Sequence, residues 1–248
     1  MARRAELGQL RLLVLQIRDD RRVEQQERGC FVELSGLAAE QFRFRNLVDE
    51  PRLSWMDVEG YDGLVIGGAG AHSVTETYPF TAPLARVVER LAAAKRPLFG
   101  SCWGHQFVAQ ALGGEVVTDL ERKELGTLAI ALTAEGRRDP WLEGLPERFD
   151  VQLGHHDRVT RLPRNAVELA SSALCPNQAF RLADAPVYGA QFHVELDAAG
   201  MLERARIYSD AYLADPGALA SLAAALGPSP VAATLFSRFI ERIVAPAA

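Results

Sequence analysis

The sequence predicts an α/β fold, in which an open and mostly parallel sheet is flanked by helices and extended by antiparallel strands. Two observations indicate this class. Short apolar runs alternate with amphipathic helical segments in the first half of the chain, the pattern of a parallel sheet covered on both faces. From Glu115 onward, short alternating runs separated by turn residues indicate antiparallel strands instead.

The elements of the first half alternate in order. Strands are predicted at residues 10–17, 41–47, 61–66 and 97–100, and helices at residues 21–37, 83–94 and 103–112. In the second helix, apolar residues from Leu84 to Leu91 recur with the i, i+3, i+4, i+7 spacing of one buried face. A helix therefore separates the first strand from the second and the third strand from the fourth, the alternation that is typical of a parallel sheet.

The second half of the chain has a different pattern. Antiparallel strands, added to the sheet or lying beside it, are predicted at residues 127–132, 149–153, 167–170, 179–182 and 187–192. Residues 198–248 are rich in alanine and leucine and are predicted to be helical, with breaks at residues 215–217 and 227–230. We expect a single domain over residues 1–248, with a core at about residues 10–197 and a C-terminal helical extension at about residues 198–248.

Composition excludes several classes of function. The chain has 27 lysine and arginine residues against 32 aspartate and glutamate residues, and its basic residues are scattered. A stripe that could neutralise phosphates is not evident, so we expect no nucleic acid partner. The apolar stretches are far shorter than the roughly 20 residues that span a bilayer, and the N-terminus has no signal-peptide pattern. Three widely spaced cysteines form neither a disulfide framework nor a zinc ribbon, and we expect a cytoplasmic protein.

The most informative segment is Gly100-Ser101-Cys102-Trp103-Gly104, between a predicted strand and a predicted helix. This is the context of a nucleophile elbow, with cysteine in place of serine. The turn is sharp, so small residues are needed two positions on either side of the nucleophile. Cys102 would begin the helix, where unpaired amides favour a thiolate, and the amide of Trp103 would be one oxyanion donor. Cys30 and Cys175 lack such surroundings and are expected to be structural.

Two further segments complete a candidate site. Gly67-Gly68-Ala69-Gly70 follows a predicted strand and can bring a second amide to an oxyanion, because glycine has no Cβ to block the approach. His193 and Glu195 lie at the end of an apolar strand, where extended geometry projects both side chains the same way. Glu195 can then accept from one imidazole nitrogen while the other faces Cys102, the arrangement of a catalytic triad.

These residues resemble the class I, or triad-type, glutamine amidotransferase family. Its Gly-x-Cys-x-Gly elbow with a following glutamine matches residues 100–106, and its Gln-Phe-His-Pro-Glu signature matches residues 191–195. Its Gly-Gly-Pro loop corresponds to residues 67–69, and a Ser-His-x-Asp-x-Val element is similar to residues 154–159. The four motifs occur in the family's order over about residues 10–197. The family's flavodoxin-like fold, an open and mostly parallel sheet between helices, agrees with the fold class predicted from periodicity.

The resemblance implies a role for each matching residue. Cys102 would attack the side-chain amide of glutamine and form a glutamyl thioester, His193 would carry the proton, and Glu195 would orient His193. Backbone amides of Gly68 and Trp103 would form the oxyanion hole. The residues implied to bind the substrate are Gln106, His155 and Asp157. No cofactor is implied.

Two departures from the family pattern leave these positions in place. Val194 replaces the family's proline, and Ala69 with Gly70 replaces its Gly-Pro turn. Adjacent His155 and His156 project to opposite faces of a strand, so we expect no metal site. His72 and His105 are expected to be polar packing residues.

The family resemblance leaves the acceptor open. We expect a stand-alone member similar to the glutaminase domain of GMP synthase, because the residues after Glu195 are too few for an ATP-binding domain. Ammonia would then pass to a synthetase or other acceptor on another chain. The alternative is a γ-glutamyl peptidase or hydrolase that uses the same triad. A non-enzymatic scaffold or glutamine sensor is a third possibility, which the intact triad argues against.

Overall fold

The structure is a computed structural model that describes residues 7–212 and 216–248. Its strands are β1 (Leu12–Ile17), β2 (Phe42–Asn46), β3 (Gly63–Ala69), β4 (Leu98–Ser101), β5 (Glu115–Thr118), β6 (Glu124–Leu132), β7 (Arg148–His155), β8 (Asp157–Arg161), β9 (Ala166–Ser171), β10 (Ala179–Leu182) and β11 (Val187–Ala190). Its α-helices are α1 (Arg21–Ser35), α2 (Thr81–Ala93), α3 (Trp103–Ala111), α4 (Ala198–Tyr212), α5 (Pro216–Ala225) and α6 (Leu235–Phe239). Within these residues, the main sheet has the order β2-β1-β3-β4-β11-β10-β9-β6-β7, and β5 pairs with β8 in a small second sheet.

The parallel half of the main sheet carries helices on both faces. Val14 of β1 packs in one apolar cluster with Phe31 of α1 and the aromatic rings of α6. Its neighbour Leu13 points the other way, into a second cluster with Leu84 of α2 and Phe107 of α3. Because both faces are buried, the inner strands β1 and β3 carry the continuous apolar runs at residues 12–15 and 64–66, whereas the edge strand β2 alternates. The α/β class with a mostly parallel sheet is confirmed.

Helix α1 shows why the local sequence folds as predicted. The side chain of Asp20 accepts a hydrogen bond from the amide of Arg22 and caps the first turn. Gly36 ends the helix with a φ of 74°, a left-handed conformation that glycine adopts without a steric penalty. The helix spans residues 21–35, close to the predicted 21–37.

One strand was assigned the wrong direction. Residues 187–192 are predicted as an antiparallel addition, but β11 runs parallel to β4, with Val187 paired to Leu98 and Ala190 paired to Ser101. It is antiparallel only to β10. Sequence pattern indicates that a strand is buried but not which neighbour it pairs with. The consequence is that the carboxyl ends of β3, β4 and β11 meet at one edge of the sheet.

The remaining strands β10, β9, β6 and β7 are antiparallel, as predicted for residues 179–182, 167–170, 127–132 and 149–153. The small sheet of β5 and β8 was not predicted. Its strands are short, and the residues of β5 do not alternate clearly between buried and exposed.

The C-terminal segment is helical, as predicted. Residues 227–230 lie outside the helices, and part of the predicted break at residues 215–217 lies outside the described residues. Phe236 and Phe239 of α6 are fully buried in the cluster under the sheet. Within the described ranges, no helix is both long and apolar enough to cross a membrane.

Candidate active site

Cys102 lies at the turn between β4 and α3. Its backbone has φ 51° and ψ −103°, a conformation that is costly for a residue with a side chain. Its amide donates to the carbonyl oxygen of Ala190 at 2.8 Å, which ties the turn to the end of β11. The thiol is therefore held in a fixed position at the sheet edge, beside the segment that follows β11.

The glycines on either side of this turn are needed for close packing. A Cβ on Gly100 would collide with the carbonyl oxygen of Gly104, and a Cβ on Gly104 would collide with that of Ile66. Backbone atoms cannot yield to such contacts as a flexible side chain can. The strand, the turn and the first turn of α3 therefore approach closely only because both residues lack a side chain.

Gly68 lies directly beside Cys102. Strand β3 continues to Ala69, so the expected glycine loop is in fact the end of the strand. A Cβ on Gly68 would lie 3.2 Å from Cε1 of His193 and 3.8 Å from Cβ of Cys102. Trp103 is the first residue of α3, where backbone amides have no partner within the helix. The structure therefore brings Gly68, Trp103 and His193 together around Cys102.

His193 and Glu195 form a buried pair. The amide of His193 donates to the carbonyl oxygen of Gln152 at 3.0 Å, which fixes this segment after β11. Nδ1 of His193 lies 2.7 Å from Oε1 of Glu195. Because a carboxylate only accepts, Nδ1 carries the hydrogen. Burial lowers the pKa of His193, but the charges and hydrogen bonds of Glu195 and Cys102 outweigh it and raise that pKa to about 9.

Glu195 is held by two further donors. Ser101 Oγ donates to Oε2 at 2.7 Å, and Nη1 of Arg204 donates to Oε1 at 3.1 Å. Burial raises the pKa of Glu195, but His193, Arg204 and Ser101 together hold it well below its usual range. Arg204 belongs to α4, and its Nε donates to Oε1 of Gln26 at 2.9 Å. The carboxylate is therefore ionised and fixed from both the sheet and the C-terminal segment.

The Cys102 thiol has two other polar neighbours. Sγ lies 4.0 Å from the carbonyl oxygen of Gly154 at the end of β7. Nε2 of Gln191 lies 3.8 Å from the same sulfur. Oε1 of Gln191 accepts from Nε2 of Gln106 at 3.1 Å, so the two amide side chains are fixed against each other.

Gln106, His155 and Asp157 form one connected group beneath the site. Nε2 of Gln106 donates to the backbone carbonyl of Asp157 at 2.7 Å, and Nδ1 of His155 lies 2.9 Å from the same oxygen. The Asp157 carboxylate accepts from Ser73 at 2.5 Å and Thr118 at 2.7 Å. The three residues are therefore adjacent, but their side chains are largely occupied by each other and by the protein.

The other cysteines and histidines differ from those at the site. Burial raises the pKa of both Cys30 and Cys175 to about 12, so neither thiol is poised to ionise. Burial also lowers the pKa of His105 to about 3, and its ring packs against Phe180. His155 is buried and His156 exposed, as their opposite directions predict. Among the residues described, no three His, Cys, Asp or Glu side chains gather as a metal site.

A cavity of about 570 Å³ opens beside His193 and Gly154. Its lining includes Ala69 and Gly70 from the end of β3. The remaining wall comes from residues 120–125 and from α4, with single contributions from neighbouring segments, among them Leu222 of α5. A cavity of this size suits a small organic molecule.

Comparison with known proteins decides the family. The sequence model described as glutamine amidotransferase class-I matches residues 34–201, more than half of the chain. The chain belongs to the class I glutamine amidotransferase family.

Curated relatives of this amidotransferase chain include two kinds of protein. It is 34% identical over 135 residues to a glutamine-hydrolyzing GMP synthase subunit of Methanothermobacter thermautotrophicus, covering 54% of this chain and 66% of that protein. It is 27% identical over 159 residues to gamma-glutamyl peptidase 3 of Arabidopsis thaliana, covering 63% of this chain and 64% of that protein. The match to GMP synthase of Aliivibrio salmonicida is 36% identical but spans only 24% of that longer protein.

Solved structures share the amidotransferase fold over nearly the whole chain. A glutamine amidotransferase from Thermotoga maritima superposes with a TM-score of 0.69 at 24% identity, covering 94% of this chain and 98% of that one. A glutamine amido transferase from Methylobacillus flagellatus gives a TM-score of 0.70 at 21% identity, covering 94% and 95%.

Sequence reasoning missed several residues around this amidotransferase site. Ser101 and Gln191 lie inside the quoted motifs and could have been found as polar residues next to the nucleophile and the base. Arg204 lies outside every motif, in a helix whose sequence carries no signal for a site. Arg18, whose Nη2 lies 3.0 Å from a Cβ built on Gly68, follows β1 with no local signal for a site.

Proposed function

We propose that the chain hydrolyses the side-chain amide of glutamine through a glutamyl thioester on Cys102. The observation that carries this proposal is the pairing of a strained strand-to-helix turn at Cys102 with a hydrogen-bonded His193–Glu195 pair on the adjacent strand end. Membership of the class I glutamine amidotransferase family supports the reaction class. Cys102, His193 and Glu195 act as nucleophile, proton carrier and orienting carboxylate.

The proposed reaction transfers the glutamyl group from the amide nitrogen to the sulfur of Cys102, and then to water. Nε2 of His193 holds the proton that leaves the thiol before sulfur attacks the amide carbon, because the raised pKa of His193 favours the imidazolium at neutral pH. The amides of Gly68 and Trp103 stabilise the oxyanion. As the C–N bond breaks, His193 returns the proton to the nitrogen, which leaves as ammonia. Water then attacks the thioester, releases glutamate and restores the thiol.

Ser101 and Arg204 position Glu195 in this proposal. Both donate to its carboxylate, so Glu195 keeps one orientation and one tautomer of His193 is favoured.

Gln106, His155 and Asp157 stay the proposed residues at the glutamyl end of the substrate. Their mutual hydrogen bonds support a role in shaping the loop between β7 and β8, because the Asp157 carboxylate already accepts from Ser73 and Thr118. The charged end of a substrate would then meet backbone groups of this loop.

The proposed destination of the ammonia is an acceptor on another chain, and glutamine is the nitrogen source. A relative named as a subunit of GMP synthase supports a protein partner of this kind. A single domain over residues 1–248 and a cytoplasmic location also stay predictions.

Ammonia release tests the proposal directly. Purified protein is incubated with glutamine, with and without lysate to supply a partner, and ammonia and glutamate are measured. Cys102→Ala is expected to reduce release below about one thousandth of the wild-type rate, because the covalent route is lost. Cys30→Ser is the matched control and is expected to keep the wild-type rate. A wild-type protein that releases no ammonia and does not react with an alkylating glutamine analogue, in either condition, contradicts the proposal.

A second candidate is a γ-glutamyl peptidase or hydrolase with the same residues. The match to gamma-glutamyl peptidase 3 favours it, as does a cavity larger than glutamine requires. Turnover of γ-glutamyl dipeptides is compared with that of glutamine at equal concentration. A clear preference for glutamine would exclude this candidate.

A further inference from the structure

The cavity beside the candidate nucleophile has an apolar wall that glutamine does not need. The wall is formed by Leu120, Leu125, Met201, Ala205 and Leu222. These side chains come from three separate segments: residues 120–125, which run from the turn before β6 into that strand, helix α4 and helix α5. Such convergence on one cavity is typical of a binding site rather than of isolated surface residues.

Gly154 connects this wall to the reactive sulfur. Its carbonyl oxygen lies 4.0 Å from Sγ of Cys102. A Cβ built on Gly154 would lie 2.7 Å from Cε of Met201 and 3.8 Å from Cδ1 of Leu125. Gly154 therefore lies between the apolar wall and the thiol of Cys102. His193 lines the same cavity.

Two wall residues are exposed although they are strongly apolar. Leu120 is 68% exposed and Leu125 is 53% exposed. Leu125 pairs across the strand with Gly154, which places it at the mouth of the cavity. A ligand that covers these side chains removes apolar surface from water, which favours its binding.

The chemistry of the substrate decides which of its parts faces the wall. The cavity also has a polar side, which includes Lys123, Glu124 and His155. The charged α-amino and α-carboxylate groups of a γ-glutamyl unit favour that side, because they are costly to place against apolar side chains. The leaving group of glutamine is a single nitrogen and cannot cover five such residues. What remains is a group attached to the amide nitrogen, on the side where His193 returns the proton.

We propose that the cavity binds γ-glutamyl amides whose nitrogen carries an apolar alkyl or aryl group, with Leu125, Met201 and Leu222 contacting that group. This inference rests on the proposed thioester chemistry at Cys102. The C–N bond breaks as with glutamine, His193 gives its proton to the leaving nitrogen, and an apolar amine departs in place of ammonia. Water then releases glutamate.

A substrate series with one leaving-group chemistry tests the proposal. Glutamate release is measured for glutamine, γ-glutamyl-methylamide, γ-glutamyl-isopentylamide and γ-glutamyl-(2-hydroxyethyl)amide. Each methylene that becomes buried raises kcat/KM roughly fourfold. Burial of only two of the four additional carbons would therefore make the isopentylamide exceed the methylamide by more than about tenfold. The hydroxyethylamide is expected to gain little. γ-Glutamyl-leucine, which adds a carboxylate to a similar skeleton, distinguishes amino acid from simple amine leaving groups.

Matched variants assign the effect to the wall. Leu125→Asn and Met201→Gln are expected to lower the ratio of kcat/KM for isopentylamide to that for methylamide about threefold or more. The controls are Leu174→Asn and Met56→Gln, whose side chains are 52% and 83% exposed and do not line the cavity; they are expected to keep the ratio. The ratio of two kcat/KM values from one enzyme preparation does not change when part of the protein is unfolded. Leu125 is already exposed, so a polar residue at this position is tolerated by the fold.

The outcomes separate this inference from the proposed function. If glutamine or the methylamide is hydrolysed but the isopentylamide gains nothing, the apolar subsite is overturned and the thioester chemistry stands. If the isopentylamide gains but all four variants keep the ratio, the apolar group binds elsewhere and the assignment to this wall is overturned. If no γ-glutamyl amide is hydrolysed, the proposed function fails, and the inference fails with it.

Discussion

The sheet edge and the C-terminal helices contribute to the site in different ways. The sheet edge supplies Cys102, His193 and Gly68 from the ends of three neighbouring parallel strands. Helix α4 supplies Arg204, which donates to Glu195, and Tyr208, whose hydroxyl accepts from Nη1 of Arg18 at 2.9 Å. The edge thus carries the groups proposed to react, and the helices fix and enclose them. The two regions meet at Glu195, where Arg204 of α4 donates to the carboxylate of the sheet-edge pair.

The C-terminal segment is itself divided. Helix α6 is part of the core, since the ring of Phe239 lies 5.0 Å from that of Phe99 and 5.9 Å from that of Tyr188. Helices α4 and α5 instead line the cavity with Met201 and Leu222. Substitutions in α6 should therefore change stability, whereas substitutions in α4 and α5 should change turnover or substrate preference.

After Cys102→Ala, the largest effect is expected from Glu195→Gln, also at the sheet edge. Loss of the carboxylate charge removes the group that orients His193 and stabilises its imidazolium, so kcat is expected to fall about 10²- to 10⁴-fold. The pKa of His193, about 9 in the wild type, is expected to fall toward or below 6.5. Burial lowers this pKa, and the variant removes the carboxylate charge that raises it. Kinetics and NMR titration of the imidazole measure the two effects. An unchanged His193 titration would contradict the proposed pairing.

The His193–Glu195 pair also predicts the direction in which the free energy of unfolding changes with pH. The pKa of His193 is raised on folding, so its stabilising contribution is full below about pH 6.5 and is lost as pH rises through about 9. Thermal unfolding of wild type and Glu195→Gln between pH 6 and 9.5 is therefore expected to differ most at the acidic end of this range. A difference that grows toward pH 9.5 would contradict this assignment.

A large loss of stability is expected from Phe239→Ala in α6. The side chain is fully buried, and its truncation leaves a cavity between the sheet and the helix, costing about 3–5 kcal/mol. Urea unfolding measures the change. Phe42→Ala, at a half-buried ring on the edge strand β2, is the matched control and is expected to cost clearly less. Equal losses would show that α6 packs no more tightly than the sheet edge.

A smaller effect is expected from Arg204→Met in α4. The variant removes a donor from Glu195 but keeps most of the side-chain volume, so kcat is expected to fall about tenfold with little change in KM. Arg204→Lys keeps the charge and is expected to recover part of the loss. Arg138→Met, at a side chain that is 76% exposed, serves as the control. A fall in unfolding temperature with kcat unchanged would instead make Arg204 a purely structural residue.

Sequence pattern was informative where local rules apply. The α/β class followed from periodicity, and the helix predicted at residues 21–37 from composition is close to α1, which the structure shows is capped by Asp20 and ended by Gly36. The glycines on either side of Cys102 are needed because a Cβ at either position would collide with backbone atoms. This local requirement is why the motif can be recognised in the sequence. Cys102, His193 and Gly68 could be named together because each lies in a short motif with its own local geometry, and these motifs resemble those of one family.

Pattern failed where partners are distant in the chain. The direction of β11 depends on its pairing with β4, which is about 90 residues earlier in the chain. The alternation of apolar and polar residues in β11 does not specify which strand it pairs with. Arg204 reaches Glu195 only because α4 folds back over the sheet edge. The occupied carboxylate of Asp157 depends likewise on Ser73 and Thr118, two residues that no motif contains.

The sequence by itself determined the class of fold, the family resemblance and the residues of the candidate triad. These depend on short-range geometry: strand and helix periods, sharp turns and side chains two residues apart. Only the tertiary structure decided how the triad is held and what surrounds it, namely Ser101 and Arg204 on Glu195 and an apolar wall beside Gly154. The physical reason is that burial and contact between distant segments set charge, orientation and cavity shape, and a linear pattern does not specify which segments meet.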